Sequence, residues 1–249
     1  MPSAIDSPPA APRRVVHQGD AIAWLRERGR LDGASVVTSL PDVSEVPALG
    51  FEEWKRWFED AALLVMHTVP DDGAAIFFQS DIKHDGLWVD KGALVARAGE
   101  RAGMGLLFHK IVCRKPAGTV TFGRASYSHL LGWSRGLRAR ADRSTADVLP
   151  AAGLMPGSKA MGVRACLDAC RFVREQTPTR TVLDPFCGWG TALAVANALG
   201  LDAIGVDLSA RMCRRARALE IDLETETLRL PARAATSGPA AAARSAGDA

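Results

Sequence analysis

Acidic residues close several of the apolar, β-branched runs in this sequence, and the chemistry they suggest depends on the residues that come after each one. Asp184 ends the run Thr181-Val182-Leu183 and leads into Pro185-Phe186-Cys187-Gly188-Trp189-Gly190-Thr191, after which small apolar residues recur at helical spacing. Strand, glycine turn and helix in that order let a backbone approach a ligand closely at the start of a helix. A second run, residues 202–207, ends in Asp207, and the separation of the two acids (207 − 184 = 23) suits a βαβ unit holding a ribose-bearing ligand. Asp20 closes residues 15–20. Residues 34–40 stop at Pro41, which cannot donate to a strand ladder, so Ser39-Leu40-Pro41-Asp42 stands at a strand end. Residues 74–79 lead to Asp81.

The elements that must position these residues alternate. After residues 1–14, rich in Pro and Ala and expected to be a disordered arm, the chain reads as strand 15–20, helix 21–27, strand 34–40, helix 51–67 and strand 74–79. A polar loop over 81–86, a helix over about 88–103 and a strand over 106–113 follow. The loop 114–128 then leads to a strand over 129–134, the pair forming an antiparallel hairpin at the sheet edge. Residues 136–157 read as an irregular linker, 159–174 as a helix, and 210–223 as the last helix. The low-complexity residues 231–249 are expected to be disordered. The fold class is therefore α/β, a mostly parallel sheet with helices on both faces and a late antiparallel hairpin, as one domain over 15–224. A catalytic half (15–135) and a cofactor half (158–224) flank the linker.

Composition narrows the setting. The chain has 249 residues, a net charge of +3 and five cysteines without a CxxC pair, which points to buried free thiols rather than disulfides or zinc, and to no metal. No apolar run reaches the ~20 residues of a membrane span, and the reading is a cytoplasmic protein with no membrane contact. Residues 101–141 contain no Asp or Glu. That window carries Arg101, Lys110, Arg114, Lys115, Arg124, Arg135, Arg138 and Arg140 among Phe108, Phe122, Tyr127 and Trp133, a composition attractive to a polyanion. Oligomeric state is not legible.

The segment Asp184-Pro185-Phe186-Cys187-Gly188-Trp189-Gly190-Thr191 resembles the D-P-F-x-G-x-G-T motif of S-adenosylmethionine-dependent methyltransferases, in the circularly permuted group of DNA amino-methyltransferases. Gly205-Val206-Asp207-Leu208-Ser209 is similar to that group's G-I-D-I-S, and Gly19-Asp20-Ala21 with Leu25 to its G-D-x-x-x-x-L. The resemblance spans residues 15–223. It implies a Rossmann-like methyltransferase sheet in permuted motif order, with S-adenosylmethionine as cofactor. The implied cofactor residues are Asp20, Ala21, Lys159, Asp184, Phe186, Gly188, Gly190, Thr191, Asp207 and Leu208. Gly188 and Gly190 would let the backbone approach the methionine part, Phe186 would pack beneath it, Asp207 would accept from the ribose, and Asp20 from the adenine amino group or, alternatively, serve as a helix N-cap. Lys159 stands where the family has Q-K-P, with Ala160 replacing the proline.

By the same resemblance, Ser39, Leu40, Pro41 and Asp42 occupy the place of the family's S-P-P-Y, D-P-P-Y or N-P-P-Y. Ser39's hydroxyl and Leu40's carbonyl would then accept from an exocyclic amine while Pro41 stiffens the turn. Asp42 departs from the family, since it cannot stack on a base. It reads as a hydrogen-bonding or general-base group, or as a solvated helix-entry pair with Glu45. Asp81, Lys115, Arg124 and Tyr127 are the expected substrate-binding residues, with a polar turn and a basic solvated loop as the plainer readings. The expected reaction is methyl transfer to a nucleobase nitrogen of DNA or structured RNA through the basic region. A small-molecule acceptor is an alternative, as is a nucleic-acid-binding protein that holds the cofactor without catalysis.

Overall fold

The computed structural model describes residues 11–157 and 159–230. The chain runs β1 (Arg14–Gln18), α1 (Ala21–Arg28), β2 (Ala34–Thr38), α2 (Phe51–Thr68), β3 (Ala75–Gln79), β4 (Ile82–His84), β5 (Leu87–Val89), α3 (Lys91–Arg101), β6 (Gly105–Cys113), β7 (Tyr127–Ser134) and β8 (Val148–Leu149). It continues through α4 (Val163–Gln176), β9 (Thr181–Asp184), α5 (Thr191–Ala198), β10 (Asp202–Asp207) and α6 (Ala210–Ala218) to β11 (Glu220–Asp222) and β12 (Thr227–Arg229). Eight strands form one sheet in the order β1-β10-β9-β2-β3-β7-β6-β8. Within it β7 alone runs against the others.

Alternating side chains on the strands build a core on each face. Val37, Ile76 and Leu130 join residues of α4, α5 and α6 on one side. Val36, Phe77 and Leu131 pack with α1, α2 and α3 on the other. Sheets covered on both faces bury every strand residue, and β2 and β3 are buried along their whole lengths. Helix α2 starts where Gly50 N–H donates to Glu53 Oε2 at 2.9 Å, and it buries Trp54, Phe58, Ala61 and Val65 at helical spacing.

Several boundaries differ from the sequence expectations. The residues expected as an arm include Arg13 and Arg14, which are ordered: Arg13 N–H donates to Asp202 Oδ1 at 2.8 Å and Arg14 opens β1. Residues 1–10 and 231–249, the rest of the arm and tail expectations, lie outside the described residues. The polar loop after β3 is a small hairpin, β4 paired with β5, turning at Asp85 and Gly86 with positive φ. Helix α3 starts at Lys91 because Asp90 caps it, accepting from Ala93 N–H at 2.8 Å. The two-residue β8 covers β6, so the hairpin is one strand in from the edge. Helix α6 ends at Ala218, and residues 220–229 form the β11–β12 hairpin instead of continuing the helix. No helix among the described residues is long and apolar enough to cross a membrane.

Candidate functional site

Four strands end at one place. The chain passes from β9 outward to β10 in one direction, while β2 and β3 lie on the other side of β9. That reversal creates a crevice beyond the strand ends. A cleft of about 600 Å³ lies there, lined by Asp20 after β1, Ser39 to Pro41 after β2, Asp184 to Trp189 and Thr191 around the turn after β9, and Asp207 and Leu208 after β10. Of the ten residues expected to hold a cofactor, nine line it: Asp20, Ala21, Lys159, Asp184, Phe186, Gly188, Thr191, Asp207 and Leu208.

Gly190 is the tenth, and its absent side chain faces elsewhere. A Cβ there would lie 2.7 Å from Ala216 Cα, and its φ is +78°, so this glycine admits α6 against the turn. Gly188, at φ +48°, has open space where a Cβ would stand. Its N–H donates to Asp207 Oδ2 at 3.0 Å, while Ser209 N–H donates to Asp207 Oδ1 at 2.7 Å. The Asp207 carboxylate is thus fixed by two backbone donors, with lone pairs remaining on each oxygen. Asp20 caps α1, accepting from Ala23 N–H at 2.7 Å through Oδ1, and also lines the cleft with Oδ2 available. Its two sequence readings are compatible.

Asp184 is fully buried. Its Oδ1 accepts from Thr38 Oγ1 at 2.7 Å and Phe186 N–H at 3.2 Å, whereas Oδ2 has no partner among the described residues. Burial, assisted by the nearby Asp207 charge and opposed by those two donors, pushes its carboxyl up to about 7. Thr191 Oγ1 is likewise buried and unpartnered among the described residues. Two orphaned polar atoms beside one cleft are costly unless a ligand satisfies them. Phe186 meets Trp57 edge-on at 6.2 Å, and Lys159 Nζ donates to Ser44 Oγ at 3.2 Å, tying the cleft rim to the residues that follow β2.

A second cleft of about 890 Å³ adjoins the first, and Ser39, Leu40, Glu45, Lys159 and Ala160 line both. Its wall carries Lys91, Arg114, Lys115 and Arg124. Among the described residues Arg114 and Lys115 have no carboxylate partner, and burial together with Arg124's charge lowers the Arg114 pKa. Lys115 and Arg124, two of the expected substrate residues, line this second cleft. Asp81 and Tyr127 do not: neither lines the cleft. Asp81 is buried and accepts from Lys91 N–H at 2.9 Å, from Tyr127 Oη at 3.4 Å, and pairs with His129 Nε2 at 3.0 Å. His129 Nδ1 in turn meets His109 Nε2 at 2.9 Å. These contacts make Asp81 the anchor of a buried strut between β3, α3 and β7.

Asp42 is placed differently from either expectation in one respect, its burial. It is the helix-entry residue paired with Glu45 that the sequence offered, but buried rather than solvated, and its carboxylate is engaged: Oδ1 accepts from Lys91 Nζ at 3.0 Å and Oδ2 lies 3.4 Å from Arg124 Nη2. Its side chain is 12% exposed and that of Lys91 4%. The helical turn after it is capped by Glu45, whose Oε2 accepts from Asp42 N–H at 2.9 Å. Trp54 Nε1 donates to Pro41 O at 3.2 Å and holds the turn from below. Lys91 was the residue that sequence reasoning passed over. A cation in the first turn of a helix opposes the macrodipole, and that misfit was the available signal that a carboxylate must face it.

The basic window of residues 101–141 also divides. Arg135 donates to the carbonyls of Val69 and Met66 at the end of α2, and Lys110 pairs with Asp168 at 2.8 Å, so both are internal fastenings. Trp133 lies over Gly99, where a Cβ would come within 2.6 Å.

Residues 171–218, from α4 through α6, match the family model described as DNA methylase. A Thermus thermophilus protein described as a putative DNA modification methylase superposes with a TM-score of 0.62 at 18% identity, covering 82% of this chain and 92% of that one. The chain has the DNA methylase fold. The Thermus protein complexed with S-adenosyl-L-methionine gives a TM-score of 0.61 at 20% identity over 82% and 91% of the two chains. The cytosine-N4-specific PvuII DNA methyltransferase gives 0.63 at 13% identity, over 82% and 85%. No curated protein matches the chain. The methylase fold accounts for the sheet, both helical layers and the antiparallel β7, as the α/β reading of the sequence expected.

Proposed function

We infer that this protein is an S-adenosylmethionine-dependent methyltransferase acting on an exocyclic amine of a DNA base. The observation that carries the reading is the shared wall: Ser39 and Leu40 face both the acid-and-glycine cleft and the cationic cleft. A residue pair in that place touches donor and acceptor together, as in-line transfer requires.

The first cleft suits the cofactor on chemical grounds. Asp207, fixed by two backbone N–H groups, accepts from ribose hydroxyls, and Asp20 Oδ2 accepts from the adenine amino group. Asp184 Oδ2 and Thr191 Oγ1, buried without partners among the described residues, take the polar groups of the methionine end. S-adenosylmethionine supplies an electrophilic sulfonium methyl. Ser39 Oγ and Leu40 O accept from the amine hydrogens and localise the nitrogen lone pair for attack. Pro41, held by Trp54, keeps those acceptors from swinging away as positive charge develops on nitrogen. Asp42 is committed to Lys91 and Arg124, and the departing amine proton leaves to water through the open cleft. Arg114, Lys115 and Arg124 meet the phosphates.

The DNA methylase description of the matching segment favours DNA over RNA as the acceptor. Isothermal titration tests the cofactor assignment: wild-type protein binds S-adenosylmethionine, and Asp207→Ala abolishes binding and methyl transfer to DNA together. Retention of wild-type affinity by Asp207→Ala would defeat it.

A further inference from the structure

Beside the cationic cleft stands a side-chain arrangement that the transfer reaction does not use. Phe122 is 88% exposed and Trp88 52% exposed, on segments far apart in the chain. Lys83 joins them: its Nζ lies 4.4 Å from the Phe122 ring centroid and 4.8 Å from that of Trp88. The backbone reinforces the link, with Lys83 N–H donating to Gly123 O at 3.2 Å and Ile82 bridging to Arg124. Thr121 Oγ1 also donates to Arg124 O at 2.9 Å. A large aromatic ring is therefore held outward by a built support rather than left on a loose loop. Phe122 lines the same cleft as Arg114, Lys115 and Arg124.

We propose that the Lys83–Trp88–Phe122 cluster is a stacking platform for an unpaired nucleobase of a bound DNA strand, next to the base that enters the cleft. The inference rests on the nucleic-acid reading of the two clefts. Phe122 offers an open π-face, and Lys83 on the supporting side lends it a positive charge. Platforms of this kind, an aromatic face flanked by cations that track the backbone, bind single strands with little sequence preference. Residues 101–141 bring no carboxylate to this wall, and Asp42, which also lines the cleft, is paired with Lys91 and Arg124. An acidic polypeptide offers the same charge but no base to stack.

The test uses the full chain and a single-stranded oligodeoxynucleotide of mixed sequence carrying 2-aminopurine. Wild-type protein quenches the probe on binding. Phe122→Ala weakens binding roughly tenfold, the size of one lost base–aromatic stack, and abolishes the quench, while Phe122→Trp restores both. Lys115→Gln, removing a cation that meets the phosphates, reduces the slope of log K against log[salt] by about 0.7, whereas Phe122→Ala leaves the slope unchanged. S-adenosylmethionine affinity stays at the wild-type value in the Phe122 variants, which shows that the fold is intact. Binding by Phe122→Ala within twofold of wild type would overturn the proposal. So would equally effective competition by polyglutamate, which would assign the surface to an acidic protein. A quench that depends on Phe122 without methyl transfer to DNA would defeat the enzyme reading and leave the platform standing. Transfer with Phe122→Ala indistinguishable from wild type would defeat the platform alone.

Discussion

At Asp184 a buried carboxyl sits next to an expected cationic ligand group, and the sign of its pH dependence follows. Burial raises its pKa from the ordinary carboxylate range to about 7, so between about pH 4 and 7 the ligand-free fold keeps a proton that the unfolded chain releases. That contribution to stability is present in full below the unfolded pKa and is lost as pH rises through 7. An ammonium group facing Oδ2 favours the ionised form, so cofactor binding below pH 7 releases a proton. Affinity measured by titration calorimetry in buffers of different ionisation enthalpy should rise with pH between about 5.5 and 7, approaching tenfold per unit. Asp184→Asn should bind more weakly with a flat profile. A wild-type profile that is already flat would remove Asp184 from the ligand's charged end. Asp42 carries the second residue-scale prediction. Asp42→Ala leaves Lys91 buried without its carboxylate and should cost about 3–5 kcal/mol in urea unfolding. Lys91→Met should cost less, because Asp42 keeps Arg124. Equal costs would contradict the triad. The acids of the first cleft were legible in the sequence because each closes an apolar run, and Gly188 because it lies in the turn that follows one of them. The Asp42–Lys91 pair was not, since 49 residues separate its members and only the fold brings α3 onto the turn after β2.

At the scale of elements, the turn between β9 and α5 depends on how closely α6 approaches it. Gly190→Ala places a Cβ 2.7 Å from Ala216 Cα at a positive φ, and should destabilise the protein by about 3 kcal/mol through strain and overpacking. Thermal or urea unfolding checks the value, and Gly188→Ala, with open space at its Cβ, should cost less. A larger loss at Gly188 would mean that the turn is constrained from the cleft side instead. Long periodic elements such as α2 were readable to within a residue or two because many buried positions repeat at one spacing. The short hairpins β4–β5 and β11–β12 were not, as three-residue strands carry too few alternations to compete with a polar-turn or helix reading.

At the scale of the molecule, the two stretches of chain interleave. Strand β1, from the first part, pairs with β10, and β2 pairs with β9. Neither part can complete its sheet alone, so we propose one cooperative unit over the described residues. Calorimetric unfolding should show a single transition, and residues 158–224 expressed alone should lack protected amides. Two separated transitions would contradict this. The late position of the Asp184 motif is what assigned the acceptor side to the early Ser39 to Asp42 segment, and Ser39, Leu40 and Asp42 line the second cleft, whereas Tyr127, expected to bind substrate, turns its hydroxyl inward to Asp81. The most direct test of the central claim is nucleoside mass spectrometry of DNA incubated with the protein and S-adenosylmethionine carrying a deuterated methyl group. The account predicts labelled N4-methylcytosine or N6-methyladenine, lost with Asp207→Ala. Unlabelled DNA alongside labelled RNA, or label on no nucleic acid despite tight cofactor binding, would contradict it.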